Sequence, residues 1–157
     1  MENTKVNSFN FSKAFATFFG VGLLPFAPGT FGSLVAIPFA WVIISITNQH
    51  ILFFVTIFLF ILGVYSASVY SNKLKLKDPS SIVIDEVVGL CLVLSFIPKN
   101  IYLFSLAFII FRFFDIFKPW PIYIADKKIN GGIGIMIDDI LAAIYTLLLL
   151  KIILMFI

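Results

Sequence analysis

Histidine, cysteine and charge are all scarce in this chain. The one histidine, His50, lies in the short polar break Asn48–His50, and the one cysteine, Cys91, lies in an apolar run. A histidine nucleophile or a Ser-His-Asp set needs an imidazole at the reacting group. His50 is far in sequence from every acid and falls on the other side of the topology derived below. Six positions after Cys91 stands Ile97 rather than an arginine, so a cysteine-phosphatase loop is absent. There is no Cys-x-x-Cys, no His-Glu-x-x-His and no Asp-x-Asp start. A lone cysteine forms no internal disulfide and says nothing about redox compartment.

Charged residues make up only 12% of the sequence, about half the usual share of roughly a quarter. Eleven Lys and Arg against eight Asp and Glu leave +3, too little for a nucleic-acid surface. What fills the chain instead is apolar: 61% of its 157 residues, with twenty Phe and a mean hydropathy of +1.11. A chain this short leaves much of its area exposed, so most of that apolar surface must face lipid. Soluble globular, disordered, collagenous and disulfide-scaffold classes are excluded. The expectation is an all-α polytopic membrane helix bundle, one domain over residues 1–157.

A spanning helix needs about 17–25 mostly apolar residues. Phe31–Thr47 and Ile51–Tyr70 qualify without a charge, Ile82–Ile97 apart from Asp85 and Glu86, and Ile101–Phe117 apart from Arg112 and Asp115. Ile133–Ile157 qualifies apart from Asp138, Asp139 and Lys151. The pattern predicts about five transmembrane helices. Phe15–Phe26 is apolar but short and ends in Pro25 and Pro28, which predicts an interfacial or re-entrant helix. A signal peptide after Lys5 and Lys13 is the competing reading, with a poorly formed, Pro-rich cleavage region against it.

With the N-terminus in the cytoplasm, Lys5, Lys13, Lys73, Lys75, Lys77, Arg112, Lys118, Lys127 and Lys128 all fall inside, against His50, Lys99 and Lys151 outside. The positive-inside rule selects that orientation. Trp120, between Pro119 and Pro121, reads as an interfacial anchor.

All acids except Glu2 fall between positions 78 and 139, at cytoplasmic helix ends in this topology. Asp78 before Pro79 reads as a helix N-cap or a supporting residue. From there Asp78, Ile82, Asp85, Glu86 and Gly89 would share one helix face. Arg112, Asp115 and Lys118 repeat that spacing at the end of the fourth span, which Pro119 stops. Asp138 and Asp139 open the fifth. Five carboxylates (Asp85, Glu86, Asp115, Asp138 and Asp139) against Arg112 and Lys118 leave an excess of negative charge, costly at membrane depth unless bound to a cation. Mg²⁺, which takes carboxylate oxygens and keeps positions for water and phosphate, answers that excess. Helix capping and interfacial ion pairing explain Asp78, but not adjacent acid pairs on two separate helices.

The second polar cluster runs Gly20 to Ser33. Gly29, Thr30, Gly32 and Ser33 offer backbone N–H groups and two hydroxyls at a helix N-terminus, an arrangement suited to phosphate. Arg112 and Lys118 would add charge on the same face.

Four blocks together resemble the phosphatidylglycerophosphatase A family: GLLPFAPGTFGS at 22–33, DPSSIVIDEVVG at 78–89, FRFFDIFKPWPI at 111–122 and GIMIDDILAA at 134–143. The resemblance covers roughly residues 20–143, in the family's order. It implies a Mg²⁺-dependent phosphatase of the bacterial inner membrane, releasing the terminal phosphate of phosphatidylglycerophosphate to give phosphatidylglycerol in phospholipid biosynthesis. On physical grounds Asp85, Glu86 and Asp139, then Asp138, are the expected metal ligands. Adjacent Asp85 and Glu86 point about 100° apart on a helix, so two metals, or one ligand and one base, are both open. Asp115 orients or deprotonates the attacking water, or itself takes the phosphoryl group. Glu86 and Asp138 are the further candidates for acid–base work. Gly29, Thr30, Arg112 and Lys118 would hold the phosphoryl oxygens. An ion or proton transporter with a carboxylate relay is the alternative, but it expects acids near the midplane and an inverted repeat. A CDP-alcohol phosphotransferase expects an Asp-Gly-x-x-Ala-Arg start, which does not occur.

Overall fold

A computed structural model describes residues 10–156. Among them the regular structure is entirely helical. A helical segment over residues 10–16 leads through left-handed turns at Phe18, Phe19 and Gly20 into a 3-10 turn, Val21–Leu23. The longer helices are α1 (Pro28–Ile46), α2 (Gln49–Leu74), α3 (Ile84–Leu94), α4 (Ile101–Phe117), α5 (Ile122–Lys128) and α6 (Gly131–Met155). Their starts follow local chemistry. Pro28 occupies the first turn of α1, where its missing N–H costs nothing. The Asn48 side chain accepts from the Ile51 N–H at 3.0 Å, and Asn100 accepts from Tyr102 and Leu103.

Three of these helices, α1, α2 and α6, are long and apolar enough to cross a membrane. The expected five spans are therefore not all matched. α4 has 17 residues, at the lower bound for spanning of about 17. The expected span Ile82–Ile97 contains α3, an 11-residue helix that rises only about 16 Å. Its Val87, Val88, Leu90, Val93 and Leu94 are fully buried, and it packs against α1, α2, α4 and α6. A helix apolar all round is either a membrane span or the core of a bundle. Here it is the core.

The expected interfacial helix over Phe15–Phe26 is also corrected, since helix ends at residue 16. Phe15, Ala16 and Phe18 are buried, and the Ala16 carbonyl accepts the Val83 N–H at 3.0 Å. This segment thus pins the loop that leads into α3. Lys5, part of the orientation argument, lies outside the described residues.

At one end of the bundle the α1–α2 and α3–α4 connections meet. The Gln49 side chain donates to the Ile97 carbonyl, and Lys99 donates to Ser45 at 2.6 Å while lying 4.4 Å from the Trp41 ring. At the other end the first turns of α1 and α3, the last turn of α4 and the second turn of α6 converge. Gly89 permits part of that convergence: a Cβ there would come 2.7 Å from Phe111 and 3.1 Å from the Asp139 carbonyl. One turn past Asp85, this close approach places the α6 backbone at Asp139 against α3.

Candidate active site

The convergence encloses a cavity of about 350 Å³. The expected metal ligands, acid–base residues and phosphoryl-holding residues all line it, although Gly32 and Ser33 do not: Gly29 and Thr30 from α1, Asp78 from the loop before α3, and Asp85 and Glu86 from α3. Arg112, Asp115 and Lys118 come from the end of α4, and Asp138 and Asp139 from α6.

One carboxylate oxygen from each of Asp85, Glu86 and Asp139 lies within 4.8 Å of the others. Adjacent Asp85 and Glu86 thus both reach one locus, which their angular separation on the helix had left open. Asp85 Oδ1, Glu86 Oε2, Asp138 Oδ1 and Asp139 Oδ2 are buried and have no hydrogen-bond partner among the described residues. Buried carboxylate oxygens are ordinarily satisfied. Three residues with such an acceptor, Asp85, Glu86 and Asp139, share one locus, which fits a hard cation that takes oxygen ligands in this manner.

The two cations are held apart. Arg112 Nη1 pairs with Asp115 and lies 3.6 Å from Glu86 Oε1. Lys118 donates to Asp138 at 2.5 Å and to Asp126 at 2.8 Å. Burial works against the Lys118 ammonium, but these two carboxylates outweigh it and hold its pKa well above the usual lysine range. Asp78 is pushed upward mainly by burial, with Lys118 opposing the shift.

Gly29 sets the spacing on the α1 side. A Cβ there would overlap Glu86 Oε1 and stand 3.3 Å from Arg112 Nη1. Two parts of the expected phosphate loop are corrected. The Thr30 N–H is taken by the Ala27 carbonyl at 2.9 Å, and the Ser33 hydroxyl donates back to the Gly29 carbonyl at 3.0 Å. Gly32 packs against Val83. This loop seats α1 against α3 and brings Gly29 and Thr30 to the cavity wall, but does not form a nest of free N–H groups.

Asp78 is not the cap of α3. That helix starts at Ile84, its N-cap position is Val83, and no side chain caps it. A turn closed by Ile82 N–H on the Pro79 carbonyl at 2.9 Å interrupts the helical face expected from Asp78 to Gly89. Asp138 and Asp139 do not open α6 either, because helix begins at Gly131 and places them two turns in.

Asp126 is the residue that the sequence argument missed. It sits on the seven-residue α5, between two proline-marked turns and a lysine pair, where no helical spacing relates it to Lys118. Its only signal was being the one acid between 78 and 139 without an assignment. Asp126→Asn leaves Lys118 on Asp138 alone. Because Lys118 and Asp126 are both partly exposed, at 25% and 35%, the expected loss is about 1 kcal/mol or less. A fall in thermal midpoint larger than about 4 °C would contradict this expectation.

A family model for phosphatidylglycerophosphatase A matches residues 14–154. A Haemophilus influenzae protein named phosphatidylglycerophosphatase A is 41% identical over 92% of this chain and 89% of its own. An Escherichia coli protein of the same name is 41% identical over 80% of this chain and 73% of its own. A Bacteroides thetaiotaomicron protein, provisionally named a phosphatidylinositol-3-phosphatase, is 36% identical over 87% of this chain and 89% of its own. No solved structure matches the chain. The family model spans nearly the whole sequence, and the relatives are similar over most of their own lengths. The chain therefore belongs to the phosphatidylglycerophosphatase A family of phosphatase enzymes.

Proposed function

We propose that this protein hydrolyses the terminal phosphomonoester of phosphatidylglycerophosphate to phosphatidylglycerol and inorganic phosphate, using Mg²⁺ at the cytoplasmic face of a bacterial inner membrane. The observation that carries the reading is the set of Asp85, Glu86 and Asp139 oxygens gathered within 4.8 Å of one another, beside Arg112 and Lys118 in one cavity. Asp85, Glu86 and Asp139 would hold the ion, with Asp138, adjacent to Asp139 in sequence, as a further candidate ligand. When bound, Mg²⁺ supplies positive charge against the phosphoryl oxygens.

The chain's own residues do the rest. Arg112, steadied by Asp115 and Glu86, faces the charge that spreads over the phosphoryl group in the transition state. Lys118 adds charge on the α4–α6 side, and Thr30 with Gly29 bounds the cavity on the α1 side. Asp115 orients the attacking water and takes its proton as the new P–O bond forms, and the glycerol oxygen departs with a proton drawn from solvent to become the free hydroxyl of phosphatidylglycerol. The excess of Lys residues toward this end of the chain's topology supports the cytoplasmic placement. The carboxylates share one chamber at one end of the bundle rather than forming a file through it, which supports hydrolysis over a transport relay.

Phosphate release by the purified full chain in detergent micelles tests the reading, with Mg²⁺ and with excess chelator. Phosphatidylglycerophosphate and phosphatidylinositol 3-phosphate serve as parallel substrates, because the relatives are named for both. Mg²⁺-dependent release from phosphatidylglycerophosphate, lost on chelation, is expected. A folded preparation that releases phosphate from neither lipid with any divalent metal would overturn the proposal.

A further inference from the structure

We infer that Asp78 is the general acid of the reaction: it gives a proton to the glycerol oxygen as that oxygen leaves phosphorus, and a second cavity beside the first returns the proton from solvent. This rests on the proposed phosphomonoester hydrolysis. It adds the route of one proton and the residue that passes it on.

Elimination and access both point to this residue. Of the carboxylates lining the chamber, those of Asp85, Glu86 and Asp139 form the cation-sized cluster. Asp115 pairs with Arg112, and Asp138 with Lys118. Asp78 lies outside the cluster and has neither a hydrogen bond nor an ion pair among the described residues. Among those residues it alone borders both this chamber and a second cavity of about 230 Å³, which Lys77, Asp126 and Gly134 help to line. Two ties fix it there. The ammonium of the preceding Lys77 donates to the Asp126 and Lys127 carbonyls at 2.9 and 3.1 Å, and the following Pro79 closes its turn onto Ile82.

A loose phosphoryl-transfer transition state puts negative charge on the leaving oxygen, and a glycerol alkoxide is a strong base that leaves far more readily with a proton. Asp115 removes one proton from the attacking water. Asp78 supplies one to the departing oxygen, which takes the electron pair of its bond to phosphorus and becomes the free hydroxyl of the product. Asp78 then regains a proton from water in the second cavity, and Asp115 returns its own to solvent. The surroundings favour the protonated carboxyl: desolvation raises its pKa, with Lys118 and Lys77 opposing the shift and Asp126 and Asp115 adding to it. Asp85 is its charged neighbour on α3. The residue as a whole stays open to solvent, as a group recharged in every turnover must.

A change of leaving group tests the assignment in the full chain. Phosphatidylglycerophosphate is compared with its analogue in which sulfur replaces the glycerol oxygen bonded to the terminal phosphorus. A thiol ionises at about pH 8.5, so the thiolate leaves without a proton. Asp78→Asn is expected to lower kcat/KM for the oxygen lipid by about 10²-fold or more, but for the sulfur analogue by less than about threefold. Asp78→Glu, which keeps an acid, should recover most of the loss on the oxygen lipid. Asp78 caps no helix, so the Asn variant should fold, and Mg²⁺ should raise its melting temperature as it raises that of the wild type. Equal losses on the two lipids, no loss on the oxygen lipid, no recovery with glutamate, or a lost Mg²⁺ shift would overturn the acid role. A folded wild type that releases no phosphate from the oxygen lipid would overturn the hydrolysis reading, and this assignment with it.

Discussion

Asp85→Asn is expected to lower kcat/KM for phosphate release by about 10³-fold or more, equivalent to about 4 kcal/mol of transition-state stabilisation. Asp85 contributes one of the three clustered oxygens, and its buried Oδ1 has no hydrogen-bond partner among the described residues. An amide is a far poorer ligand for a hard cation than a carboxylate. The fold should not suffer. Neutralising one of three crowded carboxylates removes like-charge repulsion and the cost of a buried charge, so in chelator the variant should melt no lower than the wild type. Metal linkage gives an independent readout. A ligand that binds only the folded state raises its stability, so Mg²⁺ should raise the wild-type melting temperature and leave the variant's nearly unchanged. Retained activity, or an undiminished Mg²⁺ shift, would remove Asp85 from the metal site.

Gly29→Ala is expected to cost about 10²-fold in turnover, although it adds only one methyl group. That methyl would overlap Glu86 Oε1 and crowd Arg112 Nη1. The glutamate must swing away or α1 must withdraw, and in either case the Glu86–Arg112–Asp115 arrangement is lost. A displacement of about 1 Å at a catalytic group can cost about 10²-fold. Alanine is otherwise a better helix former than glycine by about 1 kcal/mol, so the variant should remain folded. Wild-type kinetics in Gly29→Ala would mean that Glu86 has room to move and that the α1 turn does not set the site.

The neighbouring sites Gly29, Glu86 and Arg112 show how much of this protein could be read from its sequence. Each was a candidate on residue type and position alone, because acids, cations and a glycine-rich turn in so apolar a chain require a reason. Their mutual contact was not legible. Gly29 and Arg112 are separated by all of α2 and α3 and most of α1 and α4, and only the packing of α1 and α4 beside α3 brings them together. The same limit explains the misread segments. Ile82–Ile97 and the three helices long and apolar enough to cross a membrane share one composition, and hydropathy cannot tell a helix surrounded by lipid from one surrounded by other helices. Asp78-Pro79 has the local chemistry of a helix start, but the turn from Pro79 to Ile82, and the tie from Val83 to Ala16, overrode it. Asp126 lacked any local signal, since its partner Lys118 is reached through a reversal of the chain at Pro119–Pro121.

The sequence by itself determined the helical class, the membrane character, the family and the inventory of charged groups. Those follow from composition and short-range pattern, which act residue by residue along the chain. Tertiary structure decided that α3 is a buried strut, that three carboxylates from two helices share one locus, and that Lys118 bridges Asp126 and Asp138. The physical reason is range. Hydropathy and capping are set within a turn or two of a helix, whereas a cation-sized cluster of oxygens exists only where helices distant in sequence are packed to within a side chain's reach.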